Sequence, residues 1–317
     1  MNSAVKIILL LLVFAVSAVY LIQWRAEKFQ RCPISKPGVP FTVPPKGQRN
    51  IPYEMIQLAS ALYTPTLVLP QPWSTVLPSP FYSQLDKGYA ILIARNTVTN
   101  EYVVSIRGSV MVTTKAGIID WFNDLNVLQM VTSPSPLPGM MSQGAFNGIA
   151  AISRAIPNFG QIIPHTTAPT IYVTGHSLGG SLVPIVSLWI LSQIRNANII
   201  PVSFAAPSTT DADFEAVFSE KLGAKSMRIW NTQDFVPYAW SDLDHLPAYI
   251  NDFKQDPVIK SVFSIFESVT RGEFCYTTVP QSLTLDGLPI LNKANLPTLI
   301  EKIGLMHSYK TYMQLLS

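Results

Sequence analysis

A strand, a glycine-flanked serine and a helix follow one another without a gap between Thr170 and Ile194, and nothing else in the chain constrains its fold as tightly. Thr170-Ile171-Tyr172-Val173-Thr174 is a short β-branched run, the pattern of a buried strand. Residues 181–194 are rich in Leu, Val and Ile and predict a buried helix, despite Pro184 near its start. Between them stands Gly175-His176-Ser177-Leu178-Gly179-Gly180. A turn that passes directly from strand to helix leaves no room for neighbouring Cβ atoms, so the serine needs glycine at 175 and 179. Such a nucleophile elbow lifts the Ser177 hydroxyl to the carboxyl end of a sheet and aims the first amides of the helix at the same spot. A bare Gly-x-Ser-x-Gly also arises by chance. The strand before it, the helix after it and the further glycine at 180 set this one apart.

Strands alternate with helices around the elbow, which predicts an α/β fold. Ile51, Met55, Leu58, Ala59 and Leu62 fall on one helical face. Residues 88–95 and 101–107 are two β runs joined by 96–100, a hairpin at the front of the domain. Residues 144–156 read as a helix. After the elbow come a strand over 199–205, a short acidic helix capped near Thr210 or Asp211, and a strand over 227–230. Asp256-Pro257 opens an apolar helix over 258–269, with Asp at the N-cap and Pro at the first helical position. β signals at 276–279 and a last segment over 306–316 complete the chain. The predicted architecture is an α/β domain: a mostly parallel central sheet flanked by helices, with an antiparallel hairpin at the front.

Residues 1–31 lie outside this pattern. The apolar run 7–22 is longer than a secretory core of about 7–15 residues and shorter than a spanning helix of about 17–25. Val16-Ser17-Ala18 offers a cleavage site, but apolar residues continue past it, and Tyr20 and Trp24 suit a membrane interface. The expectation is an N-terminal membrane anchor, with secretion after signal cleavage as the alternative. Five prolines between 33 and 45 mark 32–50 as an extended linker, leaving 51–317 as one catalytic domain. The 22 basic and 19 acidic residues are scattered rather than clustered, which excludes a nucleic-acid partner. Cys32 and Cys275 cannot form a zinc site alone, and no metal or cofactor is expected; whether they pair is open.

A serine hydroxyl needs a base, and the base an orienting carboxylate; in this kind of fold they follow in the order Ser, acid, His. Asp234 fits the acid, because it follows the strand Arg228-Ile229-Trp230 and a short loop, and precedes Pro237. Asp211 and Asp213 open a helix and read as caps, while Asp242 and Asp244 lie in a polar loop. Of the four histidines, His165 precedes the elbow and His176 is expected to pack behind it. His245 has a short reach from Asp234. His307, after a strand region and before a terminal helix, is the better delivery point. Arg107-Gly108-Ser109 ends a strand where a backbone amide and a hydroxyl can face the elbow, as an oxyanion hole requires.

These blocks resemble, in order, the class 3 lipase family of α/β-hydrolases, the fungal triacylglycerol lipase type. The similar stretches are Arg107-Gly108-Ser109, Asp120-Trp121-Phe122-Asn123-Asp124-Leu125, Gly144-Ala145-Phe146, Val173 to Gly180, Trp230 to Pro237 and His307-Ser308-Tyr309. The resemblance implies Ser177 as nucleophile, Asp234 as acid and His307 as base. It implies Ser109 and the Leu178 amide as oxyanion donors, Asp124 as support for the Ser109 hydroxyl, and 110–119 as an apolar lid. The implied partner is a lipid ester at a membrane or lipid interface, hydrolysed through an acyl-enzyme. A phospholipase A1-type acyl hydrolase and a non-catalytic, membrane-tethered binding protein are the alternatives. The chain departs from the family at Ala205-Ala206-Pro207-Ser208-Thr209-Thr210, where Gly-x-Pro-Arg-x-Gly is usual.

Overall fold

The computed structural model describes residues 38–64, 66–76, 83–84, 89–107, 129–164, 168–238, 241, 246–247, 250, 276–277, 282–287 and 299–317. The apolar run 7–22, the helix expected over 258–269, both cysteines, His165 and His245 lie outside them. Among the described residues no helix is long and apolar enough to cross a membrane.

Strands β1 (Val39–Pro40), β2 (Trp73–Thr75), β3 (Ser83–Gln84), β4 (Ala90–Asn96), β5 (Tyr102–Arg107), β8 (Thr170–His176), β9 (Asn198–Phe204), β10 (Met227–Asn231) and β11 (Ser282–Leu285) form one sheet. Its order is β1-β11-β10-β9-β8-β5-β4-β2, with β3 also on β4. Every pair from β1 to β5 is parallel, and β4 pairs antiparallel with β5, β2 and β3. β6 (Met130–Thr132) and β7 (Met140–Ser142) make a separate ribbon. The predicted sheet is therefore borne out, and so is the hairpin. Asn96 shapes its turn by accepting from the amides of Val98 and Thr99, and Asn100 takes a left-handed φ of 62°.

The segment read as a linker contributes an edge strand, with Val39 opposite Leu283. Only two residues pair, too few for β-branched periodicity to register.

Both faces of the sheet are buried, as a parallel sheet requires. Side chains alternate along β4, β5 and β8. Ile91, Ile93, Val104, Ile106, Ile171 and Val173 join one cluster, while Leu92, Ala94, Val103 and Tyr172 join another. The helices α2 (Gln143–Ala155), α3 (Leu178–Gln193) and α4 (Ala212–Leu222) send residues into the first cluster. The helices α1 (Ile51–Ala61) and α6 (Tyr309–Leu316) send residues into the second. Asp211 caps α4 by accepting from the Phe214 amide at 2.9 Å, the capping role its sequence context predicts.

The elbow is held by close backbone approach. A Cβ on Gly175 would lie 2.5 Å from the Gly179 carbonyl carbon, and one on Gly180 would lie 2.7 Å from the Phe204 carbonyl oxygen. Gly180 thus joins Gly175 as a position the turn demands. Gly180→Ala is expected to lower stability by about 1–3 kcal/mol, the usual range for overpacking, measured by urea unfolding; an unchanged midpoint would contradict this contact. The loop after β9 carries a related strain. Ala205 sits at φ 51°, at the position where the resembled family has glycine. A non-glycine residue pays about 1–2 kcal/mol there.

Candidate active site

Ser177 follows β8 and caps α3, with φ 60° and ψ −128°. This strained backbone is held on one side by the Ser177 amide, which donates to the Phe204 carbonyl at 2.9 Å. On the other, Ser181 closes the first helical turn onto the Ser177 carbonyl at 3.0 Å. α3 begins at Leu178, earlier than apolar periodicity predicts, because Gly179 and Gly180 are poor helix formers held helical by packing. Leu178 is its first residue, so its amide belongs to the turn whose N–H groups have no acceptor within the helix.

Asp234 lies just past β10, and His307 ends the helix α5 (Leu299–His307). The three side chains meet in one line. The Ser177 hydroxyl lies 2.7 Å from His307 Nε2, and His307 Nδ1 lies 2.9 Å from Asp234 Oδ2. All three are buried: Ser177 is 4% exposed, His307 1% and Asp234 0%. A carboxylate only accepts, so Nδ1 carries the hydrogen and Nε2 is left as an acceptor facing the Ser177 hydroxyl.

A carboxylate removed from water must be compensated by donors. Asp234 Oδ1 accepts from the Val236 amide at 3.0 Å. Its Oδ2 accepts from His307 and also from the Tyr312 hydroxyl at 2.8 Å. The Tyr312 oxygen in turn accepts from the Asn231 amide at 3.0 Å. Burial first, and the charge of Asp234 second, push the Tyr312 phenol well above its ordinary pKa, so it stays a donor. Arg228 ties the neighbouring loops together, donating through one nitrogen to the carbonyls of Ala206 at 3.0 Å and Pro237 at 2.9 Å.

Ser177, Asp234 and His307, the residues read from the sequence as nucleophile, acid and base, are thus brought together. Ser109, Asp124 and residues 110–119 lie outside the described residues, as do Asp242 and Asp244. His307 reaches the site from the end of one helix, with Ser308 capping the next, rather than directly from a strand. Two participants escape sequence reasoning. Tyr312 is one aromatic among several in a terminal helix, and its link to Asp234 depends on how α6 docks. His176, expected to pack behind the turn, is buried, and its ring lies against that of His307, with centroids 4.9 Å apart. Among the described residues no group of three or more His, Cys, Asp or Glu side chains is arranged to hold a metal ion.

A mostly parallel sheet with a serine at its strand–helix turn and a later Asp and His beside it is the architecture of an α/β-hydrolase. Residues 103–242 match the family model described as lipase (class 3). The resemblance drawn from the motifs is therefore borne out over residues 103–242, and the match supports a carboxylic-ester hydrolase. The match includes Ser177 and Asp234 and stops before His307. No curated protein matches the chain.

Among solved structures, M37 lipase is similar at 24% identity and a TM-score of 0.56, with 77% of this chain and 78% of that chain covered. The Lip2 lipase of Yarrowia lipolytica is 17% identical, with a TM-score of 0.48 and coverage of 63% and 76%. The Rhizomucor miehei triacylglyceride lipase is 18% identical, with a TM-score of 0.47 and coverage of 66% and 78%. The M37 likeness speaks for the shared fold alone.

Proposed function

We propose that the chain hydrolyses lipid carboxylic esters, of the triacylglycerol type, through an acyl-enzyme on Ser177. The observation that carries this reading is the hydrogen-bonded line from Ser177 through His307 to Asp234 at the head of α3. In the proposed reaction the Ser177 oxygen attacks the acyl carbonyl as its proton passes to His307 Nε2. Asp234 keeps the Nδ1 hydrogen and stabilises the imidazolium. The carbonyl oxygen, now negative, is stabilised by the Leu178 amide and by Ser109, the donors the resemblance implies. The tetrahedral adduct collapses, the ester C–O bond breaks, and the alcohol leaves with the His307 proton. Water then repeats the sequence and frees the acid.

Lipid as substrate is supported by the class 3 lipase match and by the apolar make-up of 110–119, where Lys115 is the single charge. Such a segment would cover the site in water and open onto lipid. The anchor proposed for residues 1–31 suits the same substrate. β1 runs parallel to β11, so the chain would enter at the end of the sheet opposite Ser177. Residues 23–37, at about 3.3–3.6 Å each when extended, could then reach roughly 50 Å around the domain.

The test is purified protein lacking residues 1–31, assayed side by side on short-chain esters, emulsified triacylglycerol and phospholipid. Triacylglycerol hydrolysis that jumps as substrate passes its solubility limit is expected. Acyl release from phospholipid alone would replace the triacylglycerol reading with a phospholipase one, and inertness towards all three would overturn it.

A further inference from the structure

His176 is the last residue of β8 and the chain neighbour of Ser177, yet its ring lies against the histidine that Ser177 faces. It is 4% exposed. Its Nε2 stands 2.8 Å from the main-chain carbonyl oxygen of His307. A carbonyl can only accept, so Nε2 carries the hydrogen and the ring is a neutral Nε2–H tautomer. Burial, and then the neighbouring His307, push its pKa well below the usual histidine value, which keeps it neutral.

The acceptor is not an ordinary carbonyl. His307 is the last residue of α5, where carbonyls have no partner inside the helix. His176 fills that need from the strand carrying the serine. The ring is itself held edge-on by Tyr63 at 6.1 Å, Tyr309 at 6.3 Å and Tyr312 at 5.7 Å. The Tyr63 hydroxyl also donates to the His176 carbonyl at 3.3 Å.

Asp234 orients the imidazole of His307, but its contact is with the side chain. The His176 bond reaches the backbone from which that side chain hangs. An apolar side chain of similar volume would fill the same space without desolvating a polar ring. What imidazole adds is the N–H.

We propose that His176 is a positioning residue whose Nε2–H grips the His307 carbonyl and so holds the base at hydrogen-bond distance from Ser177. The proposal rests on reading Ser177 and His307 as nucleophile and base. One peptide unit separates His176 from Ser177, so a single rigid strand end sets the height of both. A displacement of about 1 Å in such a pair lowers turnover on the order of 100-fold.

The test compares His176→Leu, His176→Phe and His176→Gln in the full chain on a soluble short-chain ester, with thermal unfolding followed in parallel. Gln can present an amide N–H near the Nε2 position; Leu and Phe cannot. The Leu and Phe variants should lose kcat about 10- to 100-fold with KM within about two-fold, and Gln should recover several-fold over Leu. Full kcat in Leu or Phe would overturn the proposal, as would equal losses in Gln and Leu that track the fall in Tm. Nitrogen-15 NMR of the unaltered protein provides an independent check should the variants fail to fold. It should find His176 as the Nε2–H tautomer, and the Nδ1–H tautomer would overturn the proposal. Ser177→Ala is assayed alongside. Activity in that variant would overturn the nucleophile reading itself, whereas an inactive Ser177→Ala beside a fully active His176→Leu would overturn the positioning role alone.

Discussion

Ser177→Ala is expected to reduce kcat for ester hydrolysis by on the order of 10⁴-fold or more while the protein stays folded. The size follows from the geometry. The hydroxyl is the group that His307 Nε2 faces, at 2.7 Å. In the proposed reaction, removing it removes the covalent route and leaves only binding and the proposed oxyanion donors. The fold should persist, because the elbow depends on backbone contacts: the Ser177 amide on Phe204 and the packing of Gly175 and Gly180. Rates on a chromogenic ester, with circular dichroism as the folding control, check both halves. Activity within ten-fold of the unaltered protein would contradict the assignment.

Asp234→Asn is expected to have nearly as large an effect, about 10⁴-fold in kcat. Three donors converge on the carboxylate: the Val236 amide, His307 Nδ1 and the Tyr312 hydroxyl. An asparagine has one oxygen. If that oxygen stays with Val236, its NH₂ faces two further donors. The imidazole is then driven to the tautomer that places hydrogen on Nε2, against the serine proton it must accept. If the amide flips, Val236 loses its acceptor in a fully buried site. The kcat measurement is therefore paired with urea unfolding. Loss of an acceptor for a buried donor predicts a further drop of about 1–3 kcal/mol in stability. A stable, active Asn variant would contradict the role of Asp234.

Much of this site is legible in the sequence because its first half is local. Strand, turn and helix around Ser177 occupy consecutive residues, and Gly175 is dictated by its contact with the Gly179 carbonyl inside that stretch, whereas the Gly180 contact with Phe204 lies outside it. Asp234 is readable for the same reason: it follows a strand and a short loop. The rest depends on distant packing. His307 is recoverable from chain order and elimination, but its helical setting is not, since α5 and α6 break only at Ser308, where no Gly or Pro marks a boundary. Tyr312 and His176 are invisible as participants, because both act on atoms more than seventy residues away in the chain. The edge strand at Val39 hides for another reason: a proline-rich stretch is extended whether or not it pairs, and only the exposed edge of β11 decides that it does.

Covalent trapping reads the nucleophile itself. A serine-reactive phosphonate ester should inactivate the protein with one equivalent bound, and mass spectrometry of the digest should place the adduct on Ser177. His307→Ala should slow labelling by orders of magnitude, because the hydroxyl loses its base, and Ser177→Ala should abolish it. An adduct on another residue, or full hydrolytic activity in protein already labelled at Ser177, would contradict Ser177 as the nucleophile.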